Sequence, residues 1–186
     1  MYPQQETERS FEYLKKVVSV LEEPICLIGG WAVFFTVNTQ FKAATGNDYL
    51  GSRDIDLGFH VDEKLTFEKS SFAKAMKKLE EEGFKETGGR MVKELDYDTG
   101  KEISQEQAKT KPLFEVHKMY VDLMVDQMPK SFSFEKIKFL FDEELLKHVF
   151  EKKENRKEME EFSKKLWLPA PWVLLAMKTK SAPNRQ

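Results

Sequence analysis

The chain has 186 residues, enough for one domain that buries roughly 70% of its unfolded surface without a disulfide or metal staple. Hydrophobic residues make up 40% and aromatic residues 12%, which excludes a disordered or low-complexity protein. Thirty basic against 32 acidic residues leave a formal charge of −2, so the sequence carries no global basic field for nucleic acid.

Residues 6–22 place Phe11, Leu14, Val17, Val18 and Leu21 at helical spacing. Pro24 breaks that pattern, and Ile25 to Ile28 reads as a short buried strand ending in Gly29-Gly30. The strand holds the single cysteine, Cys26, which reads as a small buried hydrophobe. A lone thiol excludes an internal disulfide and a multi-cysteine zinc site, and it suits a reducing cytoplasm. The polar N-terminus has no signal-peptide core, and no apolar run approaches the ~18–20 residues of a membrane span. The expectation is a soluble cytoplasmic protein.

Trp31 to Val37 is apolar on nearly all sides and predicts a helix sunk into the core, followed by a polar stretch from Asn38 to Asn47. Asp54 to Val61 is the next strand. After Leu65 comes a helix carrying Phe72, Ala75, Met76 and Leu79, closed by Gly83. Gly88-Gly89 and Asp98-Thr99-Gly100 read as hairpin turns around a strand near Met91–Leu95. Phe114 to Val125 is a strand, and Phe134 to Phe150, with Ile137 and Leu140, reads as a strand followed by a helix. The Glu/Lys-rich stretch 151–165 predicts a solvated helix or loop. Trp167 to Pro171 is extended, and Pro171 opens a last helix. The fold class is therefore α+β (mixed α/β), a small mixed sheet flanked by helices. Residues 1–168 form the domain, with 169–186 as a C-terminal helix.

Gly51-Ser52-Arg53-Asp54-Ile55-Asp56-Leu57 is the sharpest chemical feature. Alternate side chains of a strand share a face, so Asp54 and Asp56 point one way and Ile55 and Leu57 point into the core. Two carboxylates ~6–7 Å apart on one rigid face repel unless a positive group sits between them. Mg²⁺, which binds a few carboxylates together with substrate phosphates, is the natural partner. An Asp-x-Asp pair alone is weakly specific: Asp96-Tyr97-Asp98, followed by Thr99-Gly100, has the same spacing and reads as a turn.

Gly29-Gly30 stands between a buried strand and a helix, where backbone N–H groups can approach an anion. The plainer reading is a tight turn that needs positive φ. Cradle and carboxylates together describe metal-assisted phosphoryl or nucleotidyl transfer. Asp122 and Asp126 both offer a third carboxylate, but ~13 Å of strand separates them, so one metal centre takes only one. Asp122, in mid-strand between apolar neighbours, is the choice, with Asp126 in reserve. His60, His117 and His148 make no metal pair or triad of recognisable spacing, and Trp31, Trp167 and Trp172 read as core or rim packing.

The succession of Gly29-Gly30 opening a helix, Ser52-Arg53-Asp54-Ile55-Asp56-Leu57, and Val121-Asp122-Leu123 resembles the nucleotidyltransferase superfamily related to DNA polymerase β, especially its minimal and toxin-type members. The resemblance covers residues 25–62 well, 114–126 fairly and 166–185 loosely. It implies that Gly29 and Gly30 hold a nucleoside triphosphate (ATP among them) and that Asp54 and Asp56 bind Mg²⁺ bridging its phosphates. Asp122 would serve as base or further metal ligand, and Ser52 would contact phosphate. Lys178, in Leu174-Leu175-Ala176-Met177-Lys178, matches a lysine of a late helix that meets a phosphate; a lysine snorkelling from an apolar face explains it equally.

The implied reaction moves a nucleoside monophosphate to a hydroxyl acceptor (a tRNA end, a protein side chain or a small molecule) and releases pyrophosphate. The toxin-type flavour implies an antitoxin-like protein partner. Two departures stand out. The Gly30–Asp54 gap is longer than in the simplest members, and relatives continue past an arginine like Arg185 into a Lys- and Asp-containing helical segment, whereas this sequence ends at Gln186. Toxin-type relatives tolerate the longer gap; the C-terminal departure favours a second reading, a catalytically inactive nucleotidyltransferase-fold module that binds nucleotide or docks a partner.

Overall fold

The computed structural model describes residues 4–128 and 141–182. Its elements follow in the order α1 (Gln4–Val20), β1 (Ile25–Ile28), α2 (Gly29–Thr45), β2 (Ile55–Phe59), α3 (Ser71–Glu81), β3 (Lys85–Thr87), β4 (Arg90–Asp96), α4 (Gln105–Thr110), β5 (Val116–Val125), β6 (Phe141–Asp142), α5 (Leu145–Glu151), β7 (Arg156–Met159), β8 (Leu166–Pro169) and α6 (Pro171–Ser181). The strands form one mixed sheet in the order β3-β4-β5-β2-β1-β8-β7, with β6 pairing the end of β5. β2/β5, β1/β8 and β5/β6 run parallel, and the other pairs antiparallel. This is an α+β fold, as the element pattern predicts.

The period-2 alternation of β5 decides which face is which. His117, Met119, Val121, Leu123 and Val125 are buried, while Lys118, Tyr120, Asp122 and Met124 look the other way. β4 alternates in step, with Met91, Lys93 and Leu95 buried. The buried face packs on α1 and α3: Phe59 meets Phe72 edge-on at 6.3 Å, and Lys93 Nζ lies 5.6 Å from the Tyr13 ring centre. On the other face α5 and α6 cover β1 and β2, Leu146 lying where a side chain at Gly58 would go. They leave the β4–β5 part of that face open.

Local chemistry explains the boundaries. Ser70 caps α3 by accepting from the Ala73 amide, and Pro171 sits in the first turn of α6. Helix α2 differs from its sequence reading in two ways. It runs on through Asn38–Thr45, because exposed polar residues do not stop a helix; Gly46 does, in the left-handed region at φ 76° with its N–H on the Lys42 carbonyl. Only Trp31 and Ala32 of α2 are buried, and Val33 to Val37 are half-exposed.

The stretch 151–165 also departs from expectation, since Arg156–Met159 is an edge strand rather than a solvated helix or loop. Its charge hid two inward groups. Met159 is buried, and the Arg156 guanidinium lies 3.5 Å from the Trp167 ring centre while donating to the Val149 and Phe150 carbonyls at the end of α5. Lys157 and Glu158 face solvent, as suits an edge.

The division at 168/169 falls within β8, and α6 packs on α2 and α5. Of the strand expected from Phe134 onward, Ile137 and Leu140 lie outside the described residues. Among the described residues no helix is long and apolar enough to cross a membrane.

Candidate active site

The site grows out of sheet register. Ile28 pairs with Asp56, and Asp56 pairs with Asp122 on the parallel neighbour β5. Met91 of β4 pairs with Val121, so Arg90, one step further in an antiparallel ladder, stands opposite Asp122. One row across the sheet thus reads Ile28, Asp56, Asp122, Arg90, with Gly29 and Gly30 turning into α2 beside it. Neighbouring strands are only ~4.8 Å apart, so the two mid-row carboxylates are forced together by the backbone.

Gly29 combines both readings of the glycine pair. Its φ is +67°, and a Cβ there would lie 1.8 Å from Asp56 Oδ2. A Cβ at Gly30 would lie 2.5 Å from Ser52 Oγ. The turn therefore lies against the acidic residues, and its helix brings unpaired N–H groups to the same place. Gly29, Gly30, Ser52, Asp54, Asp56, Asp122 and Lys178 all line one cavity of about 840 Å³. All seven residues singled out from sequence converge there, Lys178 arriving on α6 with Leu174 and Met177.

The positive group between the carboxylates is Arg90, which sequence reasoning missed. Its Nε donates to Asp122 Oδ1 at 2.6 Å, and its Nη2 to Asp122 Oδ2 at 2.8 Å and Asp54 Oδ2 at 2.9 Å. Burial opposes the guanidinium charge, but these carboxylates outweigh it and raise its pKa. Arg90 leaves Asp56 under-compensated. Burial first, then the charges of Asp122 and Asp54, push the Asp56 carboxyl up to about 7, against the partial pull of Lys178 and Arg90. Burial also raises Asp122, the Arg90 hydrogen bonds holding it back.

As a donor set, three carboxylates, of which Asp56 is short of positive charge, suit a hard divalent cation. Among the described residues no group of three or more His, Cys, Asp or Glu closes on one point, because Asp54 and Asp122 are turned to Arg90. Glu143, also on the cavity wall, is held by the Leu145 amide and Lys180.

The reserve residue, Asp126, lies elsewhere. Fully buried, it accepts from the Val61 amide at 3.0 Å and pairs with His60 Nδ1 at 2.5 Å, tying the end of β5 to the residues after β2. That hydrogen bond is the main reason the His60 pKa is raised. Sequence spacing did not reveal the His60–Asp126 pair, since 66 residues separate its members. His117 is buried on the opposite face from Asp122, and burial lowers its pKa. Asp96 forms the expected turn, accepting from the Thr99 amide and hydroxyl.

What fold and site define together is an α+β protein with a glycine turn set against a carboxylate-lined cavity. The chain has no significant match to any protein-family model, curated protein or solved structure.

Two predictions follow from the packing and the charges. Gly29→Ala forces a Cβ into Asp56 at an unfavourable φ and is expected to cost about 2–4 kcal/mol in urea unfolding. Gly30→Ala also meets Ser52, at 2.5 Å from Oγ and 2.7 Å from Cβ, but outside the left-handed region, so it costs less; equal losses would contradict the asymmetry. The folded state keeps the Asp56 proton between its ordinary pKa of 3.8 and about 7, where the unfolded chain has lost it. Stability of the metal-free protein therefore falls as pH rises through that window, by up to about 4 kcal/mol from this group. Asp56→Asn removes the loss, so the wild-type-minus-variant difference should slope with pH, and a flat difference would refute the assignment.

Proposed function

We propose that the chain is a Mg²⁺-dependent nucleotidyltransferase that moves a nucleoside monophosphate from a nucleoside triphosphate to a hydroxyl acceptor. The observation that carries the reading is the placement of the Gly29-Gly30 turn directly against Asp56 in a cavity shared with Asp54, Asp122 and Lys178. Backbone N–H groups of the turn and the Lys178 ammonium are donors for the triphosphate, and Ser52 adds a hydroxyl beside them.

Asp54 and Asp56, with Asp122 as a further ligand, would hold the metal. Magnesium there supplies charge neutralisation of the phosphates and of the oxygens entering and leaving the reacting phosphorus. The acceptor oxygen bonds to the α-phosphorus, the bond from that phosphorus to the bridging oxygen breaks, and pyrophosphate leaves. Asp122 takes the acceptor proton. The open β4–β5 face next to Asp122 is the side from which an acceptor reaches it.

A second reading, a nucleotide-binding or partner-docking module without turnover, draws on the engagement of Asp54 and Asp122 by Arg90. One experiment separates the two. Thermal melts with MgCl₂ and each nucleoside triphosphate are run on wild type and on Asp54→Asn/Asp56→Asn, alongside a pyrophosphate-release assay with candidate acceptors. Ligand at ~100 times its Kd stabilises the native state by about 2.7 kcal/mol. A magnesium-dependent shift lost in the double variant, together with pyrophosphate release, is the expected result. A shift without release favours the nucleotide-binding module, and no shift with any nucleotide contradicts both the enzyme and that module.

A further inference from the structure

We propose that Arg90 is an internal counter-cation that holds Asp54 and Asp122 against free divalent metal, so that metal enters this site only together with the triphosphate. The inference rests on the nucleotidyltransferase reading and concerns how its metal site is filled.

Three observations carry it. First, the contacts are those of a cation bound by the site's own carboxylates: a two-point fork on Asp122 and a third bond to Asp54, all between 2.6 and 2.9 Å. A metal bound by these oxygens displaces the guanidinium or shares them with it. Second, Arg90 is braced from its far side, its Cζ lying 4.1 Å from the centre of the Tyr120 ring. Arg90 and Tyr120 also line a second cavity, of about 580 Å³, on the open β4–β5 face, while Asp54 and Asp122, which Arg90 grips, line the first. Third, its place is fixed by the β4–β5 register and not by a loose loop, since Arg90 is the first residue of β4.

Magnesium gives up water reluctantly, and a fork-on-carboxylate pair is among the strongest charge-assisted hydrogen bonds. A lone hydrated ion therefore competes poorly with Arg90. A metal already bound to a triphosphate brings added contacts to Gly29, Gly30 and Lys178, which offset the loss of the Arg90 bonds. Those same phosphates are acceptors for the released guanidinium.

The test is calorimetric titration of Mn²⁺ alone, and of Mn²⁺ with a non-hydrolysable nucleoside triphosphate, at about pH 8.5, where Asp56 is ionised. It uses wild type, Arg90→Gln, Arg90→Lys and Tyr120→Leu, each checked for a cooperative melt. Arg90→Gln should bind free Mn²⁺ at least about tenfold more tightly than wild type, as expected when a competing charge within contact distance is removed. Arg90→Lys, which keeps the charge but loses the fork, and Tyr120→Leu, which keeps the arginine but removes its brace, should both fall between. With nucleotide present the gap between wild type and Arg90→Gln should narrow.

A merely structural Arg90 predicts metal affinity that is unchanged or weaker in Arg90→Gln, and that result overturns the inference while Mn²⁺–nucleotide binding by wild type leaves the enzymatic reading standing. Absence of Mn²⁺ binding in every protein, with and without nucleotide, overturns both.

Discussion

The molecule is organised around an electrostatic conflict that the sheet imposes. Asp56 and Asp122 are register partners on adjacent parallel strands, and Asp54 stands two residues before Asp56. No side-chain rotation separates groups whose Cα atoms are locked by β2 and β5. The conflict is met on one side by the Arg90 fork and on the other by Lys178, and what remains uncompensated settles on Asp56, the most deeply buried of the three. Stability alone does not call for such a cluster, because replacing a whole set of paired charges with well-packed apolar residues is often neutral or stabilising. Under the proposed function this cluster is the site of the divalent cation.

The surrounding fold serves that cluster. α2 starts at the residue after Ile28, so its N-terminal N–H groups open beside Asp56, and Gly29 has no side chain because Asp56 occupies the space. α6 brings Lys178 to the same cavity, and α5 closes the neighbouring part of the face through Leu146 against Gly58. The buried face beneath, with Ile55, Leu57, Met119 and Val121 fully enclosed, is an apolar platform that keeps the row from shifting. Asp126 and His60 tie the end of β5 to the residues after β2, further along the strands from the row.

Much of this was legible in the sequence. Alternation through Asp54–Leu57 and Tyr120–Met124 assigned the carboxylates to a common face, and the bounds of β1 and the start of α6 followed from Pro24, Gly29 and Pro171. Choosing Asp122 over Asp126 rested on its apolar neighbours, and the Asp56–Asp122 register agrees. What escaped depends on pairings between distant segments. Arg90 follows a glycine turn and gives no local sign that antiparallel pairing brings it to a residue 32 positions later. The buried side of Arg156 and Met159 was masked by the acidic and basic residues around them. Helix α2 runs past the polar Asn38 because polarity there marks exposure and not an end.

The most direct test of the central claim is an amide NMR spectrum recorded with substoichiometric Mn²⁺ and a non-hydrolysable nucleoside triphosphate. Paramagnetic broadening should be strongest at the amides of Gly29, Gly30, Asp56 and Asp122 and fall off towards Asp126 and His117. Broadening centred elsewhere, or none with any nucleotide, would contradict the account.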